Sequence, residues 1–264
     1  MFNPEIERDK IIEWIRDWFK RNGNGCNAVI GISGGKDSTV VAALCKAALG
    51  ADHVIGVMIP NGVQHDIGDS ITVCKHLGIK YLKVNIKDAY DCIINDIDSC
   101  GLYVPGEDKY TDIKITNQTR TNLPPRLRMS TLYAVSQSMN GRVANTCNLS
   151  ETMVGWETKW GDAVGDFAPL ARYTATEVVA IGHTMDVPLH LVEKAPSDGL
   201  CGKTDEDAFG FTYRELDSYL RTGSSGSEES DEKIRIKIKN SAFKRVPTEF
   251  CPGPNTPLNY APIQ

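Results

Sequence analysis

The chain has 264 residues, 41% hydrophobic and 24% charged, with 29 lysines and arginines against 34 aspartates and glutamates. This composition excludes disordered, collagen-like and small disulfide-scaffold proteins and supplies enough apolar side chains for a sizeable core, in one large domain or two small ones. A net charge of -5 gives no long-range attraction to a polyanion and no basic run offsets it, so no nucleic-acid partner is expected.

The start, MFNPEIERDK, lacks a basic segment leading into an apolar stretch, and no apolar run approaches the roughly 20 residues of a membrane span, so a cytoplasmic protein without membrane attachment is expected. The eight cysteines are far apart, with no C-x-x-C pair and no histidine at metal-ligand spacing, which reads as free thiols.

In chain order, Ile11, Ile12, Ile15, Trp18 and Phe19 recur at helical spacing and predict an amphipathic helix over residues 5–20, ended by the turn at 22–25. The apolar run 28–32 has strand length. It is followed by Gly34 and Gly35 and by a helix with Val40, Val41, Leu44 and Ala48 on one face, stopped by Gly50. The cycle repeats as strand 53–58, helix 66–77, strand 81–84 and helix 87–98. This alternation predicts an α/β fold with a doubly wound parallel sheet and helices on both faces.

Residues 101–117 show no periodicity and read as a loop. A helix is expected to begin near Pro124 with Asn122 as cap and to run from Arg126 to Met139, followed by a short strand at Val143 and Ala144. Helices are expected over 175–185 and 212–220. The segment 221–232, RTGSSGSEESDE, reads as an exposed spacer, and KIRIKIKN (233–240) fits a strand by alternation and a helix by the spacing of Ile234 to Ile238. The prolines of 247–264 make that stretch an irregular tail, and the whole of 1–264 is taken as one domain.

The chemistry-bearing segment is GISGGKDST, residues 31–39, where a parallel strand hands over to a helix. A helix N-terminus there offers unpaired N–H groups and a positive dipole end, and Gly34 and Gly35 let a phosphate approach the backbone. Ser33 and Ser38 add hydroxyls. Asp37 would repel phosphate unless a divalent cation lies between them, so the combination points to Mg-bound nucleotide. The loop is not a Walker A sequence, because Ile30 and Asp37 stand where that motif needs glycine and a hydroxyl residue.

The string S-G-G-x-D-S instead resembles the loop of ATP pyrophosphatases, which split ATP into AMP and pyrophosphate. The blocks NTCNLSETMVGWETKWGDAVGDFAPL (145–170), KAPSDGL (194–200) and KTDEDAFGFTYRELDSYL (203–220), with NLPPRLRM (122–129), resemble the ammonia-dependent NAD synthetase family. That resemblance implies a Rossmann-like, adenine nucleotide alpha hydrolase-like fold. It also implies a ligase that joins ATP, deamido-NAD and ammonia into NAD, AMP and pyrophosphate through an adenylated nicotinate carboxylate.

Carried onto this sequence, the resemblance makes Gly31, Ile32, Ser33, Gly34, Gly35, Lys36, Asp37, Ser38, Thr146 and Ser197 the ATP-binding positions. Asp37 and Glu151 become the Mg2+ ligands, and Arg126, Lys159, Asp166 and Lys244 the deamido-NAD contacts. Asp37 and Asp166 are the implied catalytic residues, Asp166 as acceptor of a proton from ammonium. Two positions depart from the family: Ala175 replaces a lysine that reaches ATP, with Lys36 or Arg172 as candidate substitutes, and Phe243 replaces a histidine.

A homodimer is implied, with the residue 5–20 helix and the 126–139 helix as candidate buried faces. Free or separately delivered ammonia is the expected nitrogen source, because no glutamine-hydrolysing domain is seen. The alternatives are another ATP pyrophosphatase, such as an RNA-thiolating enzyme, and a nucleotide-binding regulator that has lost turnover.

Overall fold

The computed structural model of the chain describes residues 2–194 and 205–248. Asn3 caps α1 (Pro4–Asn22): its Oδ1 accepts the Ile6 amide at 3.0 Å, and Pro4 occupies the first helical position, where no donor is required. Next come β1 (Asn27–Gly31), α2 (Lys36–Leu49), β2 (Val54–Met58), α3 (Ile67–Leu77), β3 (Lys80–Lys83) and α4 (Lys87–Ser99). The hairpin β4 (Gly101–Val104) and β5 (Lys109–Asp112), then α5 (Asn117–Ser138) and β6 (Gly141–Val143), lead to α6 (Leu149–Val154), α7 (Ala175–Gly182) and α8 (Leu189–Val192). The last described helices are α9 (Asp205–Phe209), α10 (Tyr213–Thr222) and α11 (Glu228–Arg245).

Four strands form one parallel sheet in the order β3-β2-β1-β6. From β1 the chain winds outward to β2 and β3, then returns to lay β6 on the other side of β1. The order therefore reverses at β1 and β6, and in open sheets of this kind ligands lodge at the carboxyl ends of the two strands flanking the reversal. The pleat splits β1 between two cores. Ala28 and Ile30 face Val41, Leu44 and the helices α1, α2, α3, α7 and α8, whereas Val29 faces Ile55, Val57 and Val143 under Met129 and Leu132 of α5. Every residue from Val40 to Cys45 is buried, because α2 lies between the sheet and an outer layer of α1, α7 and α8.

Several expectations need correction. The helix expected at Pro124 begins earlier: Thr116 caps α5, its Oγ1 accepting the Thr119 amide at 3.1 Å, and Pro124 and Pro125 lie inside the helix. Asn122 is not a cap; its Oδ1 accepts the Thr158 hydroxyl at 2.8 Å and ties α5 to the segment after α6. Residues 101–112 form an antiparallel hairpin instead of a loop, with Tyr103 opposite Tyr110 and their rings 5.5 Å apart. In 221–232, only the middle is a connection. Residues 221–222 end α10, and Ser227 caps α11, whose first turn uses the acids Glu228, Glu229 and Asp231 to oppose the helix dipole. KIRIKIKN is helical: Ile234 is fully buried, while Ile236, on the other face, is 48% exposed. Ile11, Ile12, Ile15 and Phe19 of α1 and Met129 and Leu132 of α5 are buried in the chain's own cores. Most of the 247–264 tail lies outside the described residues.

A third, smaller core joins Val154, Ala175, Phe209, Phe211, Tyr213, Leu216 and Ile234. Buried Asp217 holds this unit together. Its Oδ1 accepts the Ser150 hydroxyl of α6 and its Oδ2 the Thr176 amide of α7 at 2.7 Å, while Ser150 Oγ accepts the Ala175 amide at 3.0 Å. Asp217→Ala leaves buried donors unsatisfied on two helices and is expected to lower unfolding free energy by about 3 kcal/mol in urea denaturation.

Candidate active site at the carboxyl ends of β1 and β6

Gly31 ends β1, and the Ile32 amide donates to Val57 O at 2.9 Å, so the chain leaves the sheet still paired. Ile32 itself points into the core. The turn that follows is closed by its own hydroxyls. Ser33 Oγ accepts the Gly35 amide at 3.2 Å and lies 3.1 Å from Ser38 Oγ, while Ser38 and Thr39 donate to Gly35 O. Gly34 is required twice over: its φ is +82°, and a Cβ there would lie 2.9 Å from Asp69 Cβ on α3. Ser70 Oγ, fully buried against the same glycine, has no hydrogen-bond partner among the described residues. The loop therefore presents backbone and an exposed Ser33 at the start of a 14-residue helix, a setting made for an anion.

The next strand supplies the second wall. After β6 the chain runs through Asn145, Thr146 and Cys147 to Asn148, which caps α6 in a reciprocal box: Asn148 Oδ1 accepts the Glu151 amide at 3.0 Å, and Glu151 Oε2 accepts the Asn148 amide at 3.3 Å. Asn148 Nδ2 also donates to Asp37 Oδ1 at 3.0 Å, which fixes the two carboxylates relative to each other. Between them lies the Lys36 ammonium, 2.7 Å from Asp37 Oδ2 and 3.9 Å from Glu151 Oε1, with its side chain only 6% exposed. Below it, the Tyr213 ring is centred 5.4 Å away, and Tyr213 donates its hydroxyl proton to buried Asp205 at 3.0 Å.

Electrostatics follow from this crowding. Burial, and then the charge of Asp37, push the Glu151 carboxyl up to about 8, although Lys36 pulls it down. Burial opposes the charge on Lys36, yet Asp37 and Glu151 together hold its ammonium above the usual lysine range. Near neutrality the Lys36 ammonium thus offsets one carboxylate, and a proton retained on Glu151 offsets the other. The oxygens of Asp37 and Glu151 suit a hard divalent cation. Among the described residues no group of three or more side chains could enclose a metal, so such an ion would need oxygens from a bound phosphate as well.

The other expected site residues fall in two places. Thr146 is half-buried in the β6–α6 connection, two residues before the Asn148 that binds Asp37. Arg126, Lys159 and Lys244 gather around residues 155–160: Arg126 Nε donates to Lys159 O at 3.3 Å, Lys159 Nζ to Phe243 O at 2.8 Å, and Lys244 Nζ to Gly155 O and Glu157 O at 2.7 and 2.6 Å. Asp166 accepts the Val143 amide at 2.7 Å and the Tyr133 hydroxyl at 3.3 Å, so both oxygens fasten the end of β6. Ser197 lies outside the described residues. Ala175 is buried in the aromatic cluster, and Phe243 is 60% exposed near the Lys159 ammonium. Trp156 packs edge-on against Phe209, whereas Trp160 is 57% exposed.

Sequence reasoning missed Asn148, Tyr213 and Asp205. The N-x-x-E spacing of Asn148 and Glu151 is a capping-box signature and marks the first. Asp205 stands in an acidic run, 205–207, that reads as the start of a helix, and its place beside Tyr213 is created by the fold.

A strand-order reversal with a glycine-rich helix N-terminus and a carboxylate pair at its mouth defines a nucleotide-binding α/β protein. Comparison with known sequences narrows this: the profile of the family described as NAD synthase matches residues 7–249. The NH3-dependent NAD+ synthetase of Carboxydothermus hydrogenoformans is 35% identical, over 93% of this chain and 97% of its own. That of Archaeoglobus fulgidus is 38% identical, over 92% and 96%. Among solved structures, NMN synthetase from Francisella tularensis superposes with a TM-score of 0.82 at 31% identity, covering 97% of this chain and 100% of that one. The chain belongs to the NAD synthase family.

The Glu151 environment makes stability depend on pH. The unfolded chain loses this proton near 4.5 and the folded chain holds it to about 8, so the stabilising contribution is complete below 4.5 and is lost as pH rises to about 8. Across that window, urea titrations are expected to show wild-type unfolding free energy falling by at least about 1 kcal/mol more than that of Glu151→Gln.

Proposed function

We propose that the protein amidates the nicotinate carboxylate of deamido-NAD with ammonia, splitting ATP into AMP and pyrophosphate. The observation that carries this reading is the Asp37–Glu151 pair facing a glycine-rich helix N-terminus in a chain of the NAD synthase family. The amide-rich turn at Gly34 and Gly35, with Ser33 and Ser38, holds the ATP phosphates, and Thr146 and Ser197 complete the nucleotide contacts. Asp37 and Glu151 would hold Mg2+, which shields the phosphates and absorbs charge on the departing pyrophosphate. Arg126, Lys159 and Lys244 supply positive charge for the dinucleotide.

Catalysis needs no protein nucleophile. Holding the nicotinate carboxylate in line with the α-phosphorus replaces a bimolecular encounter, and the resulting acyl adenylate is attacked by ammonia. Asp166 would accept the ammonium proton, but its two oxygens already bind Val143 and Tyr133, and this favours a role in shaping the β6 end. We take the protein to be a cytoplasmic homodimer. No described helix is long and apolar enough to cross a membrane.

A second substrate reading has a specific basis. The Francisella neighbour bears the name NMN synthetase, and nicotinate mononucleotide offers the same carboxylate without the adenylate half. Purified protein given ATP, Mg2+, ammonium and each acid in turn is expected to form the matching amide (NAD from deamido-NAD, nicotinamide mononucleotide from nicotinate mononucleotide), AMP and pyrophosphate in equal amounts, with the higher kcat/KM for deamido-NAD. A higher value for the mononucleotide would select the second reading. ATP binding without AMP release would indicate a regulator. Gly34→Ala, which places a Cβ against Asp69, is expected to lower kcat/KM by about tenfold or more in the same assay.

A further inference from the structure

Lys36 occupies the variable position of the loop, yet it is among the most buried charged side chains of the chain. A lysine serving as an ordinary surface charge, or as a ready phosphate ligand, would be expected to extend into solvent. Here the side chain turns inward, and its ammonium lies between the oxygens of Asp37 and Glu151, where a divalent cation bridging the same carboxylates would have to lie. Asn148 holds both carboxylates, its Nδ2 donating to Asp37 Oδ1 and its backbone amide to Glu151 Oε2, and the Tyr213 ring lies against the ammonium, so Lys36 and a divalent cation would compete for the same oxygens. The small Ala175, in the same cluster as Tyr213, places no second cation beside that ring.

We infer that Lys36 is a tethered counter-ion that competes with the divalent cation for the Asp37–Glu151 pair and moves to the nucleotide phosphates when that cation enters. The inference rests on the nucleotide-binding reading above. It makes Lys36 a positioning residue with two opposite effects: it weakens metal binding in the absence of nucleotide, and it strengthens nucleotide binding once metal is present. Positive cooperativity between metal and ATP follows, because each removes a cost that the other would otherwise bear. A purely structural lysine has no such signature, since its loss would loosen the site for both ligands.

The test measures Mn2+ binding to the full chain without nucleotide, from the electron paramagnetic resonance of free Mn2+, and ATP binding at saturating Mn2+ by equilibrium dialysis. Lys36→Met is expected to bind Mn2+ at least about tenfold more tightly than wild type and ATP about tenfold more weakly, while Lys36→Arg stays near wild type in both. Lys36→Gln gives the same readouts if the Met variant does not fold by circular dichroism. Unchanged or weaker Mn2+ binding in the neutral variants overturns the inference, as does parallel weakening of both ligands. NAD formation by the wild type is scored separately, so failure of the functional reading is distinguishable from failure of this one.

Discussion

Two carboxylates held a few ångströms apart in a largely buried place must be compensated, and much of the site is arranged around that requirement. Asp37 comes from the first turn after β1 and Glu151 from the first turn after β6, adjacent strands of one sheet. Their proximity is thus a product of topology and not of local sequence. Three groups answer the resulting charge: the Lys36 ammonium, the Asn148 amide, and a proton on Glu151 retained to about pH 8. Each is a form of compensation that a bound cation would render unnecessary, and this connects the geometry to chemistry on phosphates.

The scaffold fixes these groups through a hierarchy of packing. The α2 helix, buried from Val40 to Cys45, anchors the loop to the centre of the molecule. The smaller core around Phe209, Tyr213 and Leu216 anchors the opposite wall, and Asp217 adds hydrogen bonds that join three helices of that wall. The floor beneath Lys36 therefore comes from the C-terminal helices, whereas the ammonium itself comes from the N-terminal half.

Much of the fold was legible because its central strands are buried on both faces. The runs at 28–32 and 54–58 are continuous apolar stretches between glycines and helices, which is how parallel strands read. The loop was legible as well, since Gly34 cannot be another residue where its backbone passes α3. What escaped had weak local signals. The 101–112 hairpin carries exposed tyrosines and no buried face, α5 starts before a proline pair that reads as a helix beginning, and α11 alternates isoleucine and lysine with only Ile234 fully buried. The inward turn of Lys36 could not be read from S-G-G-K-D-S, because Glu151 and Tyr213, which receive it, are distant in the chain.

The close approach of Gly34 to Asp69 and Ser70 has a consequence for how variants of this protein will be interpreted. Lys194 grips Asp66 and Asp69 at 2.7 and 2.8 Å, so the start of α3 is held against the turn by an ion pair from the other end of the α8 segment. The turn is thus held from two sides, by its own hydroxyl hydrogen bonds and by a helix in the second crossover. Substitutions in α3 or at Lys194, remote from the reacting atoms, will therefore present as altered affinity for nucleotide before they present as loss of fold.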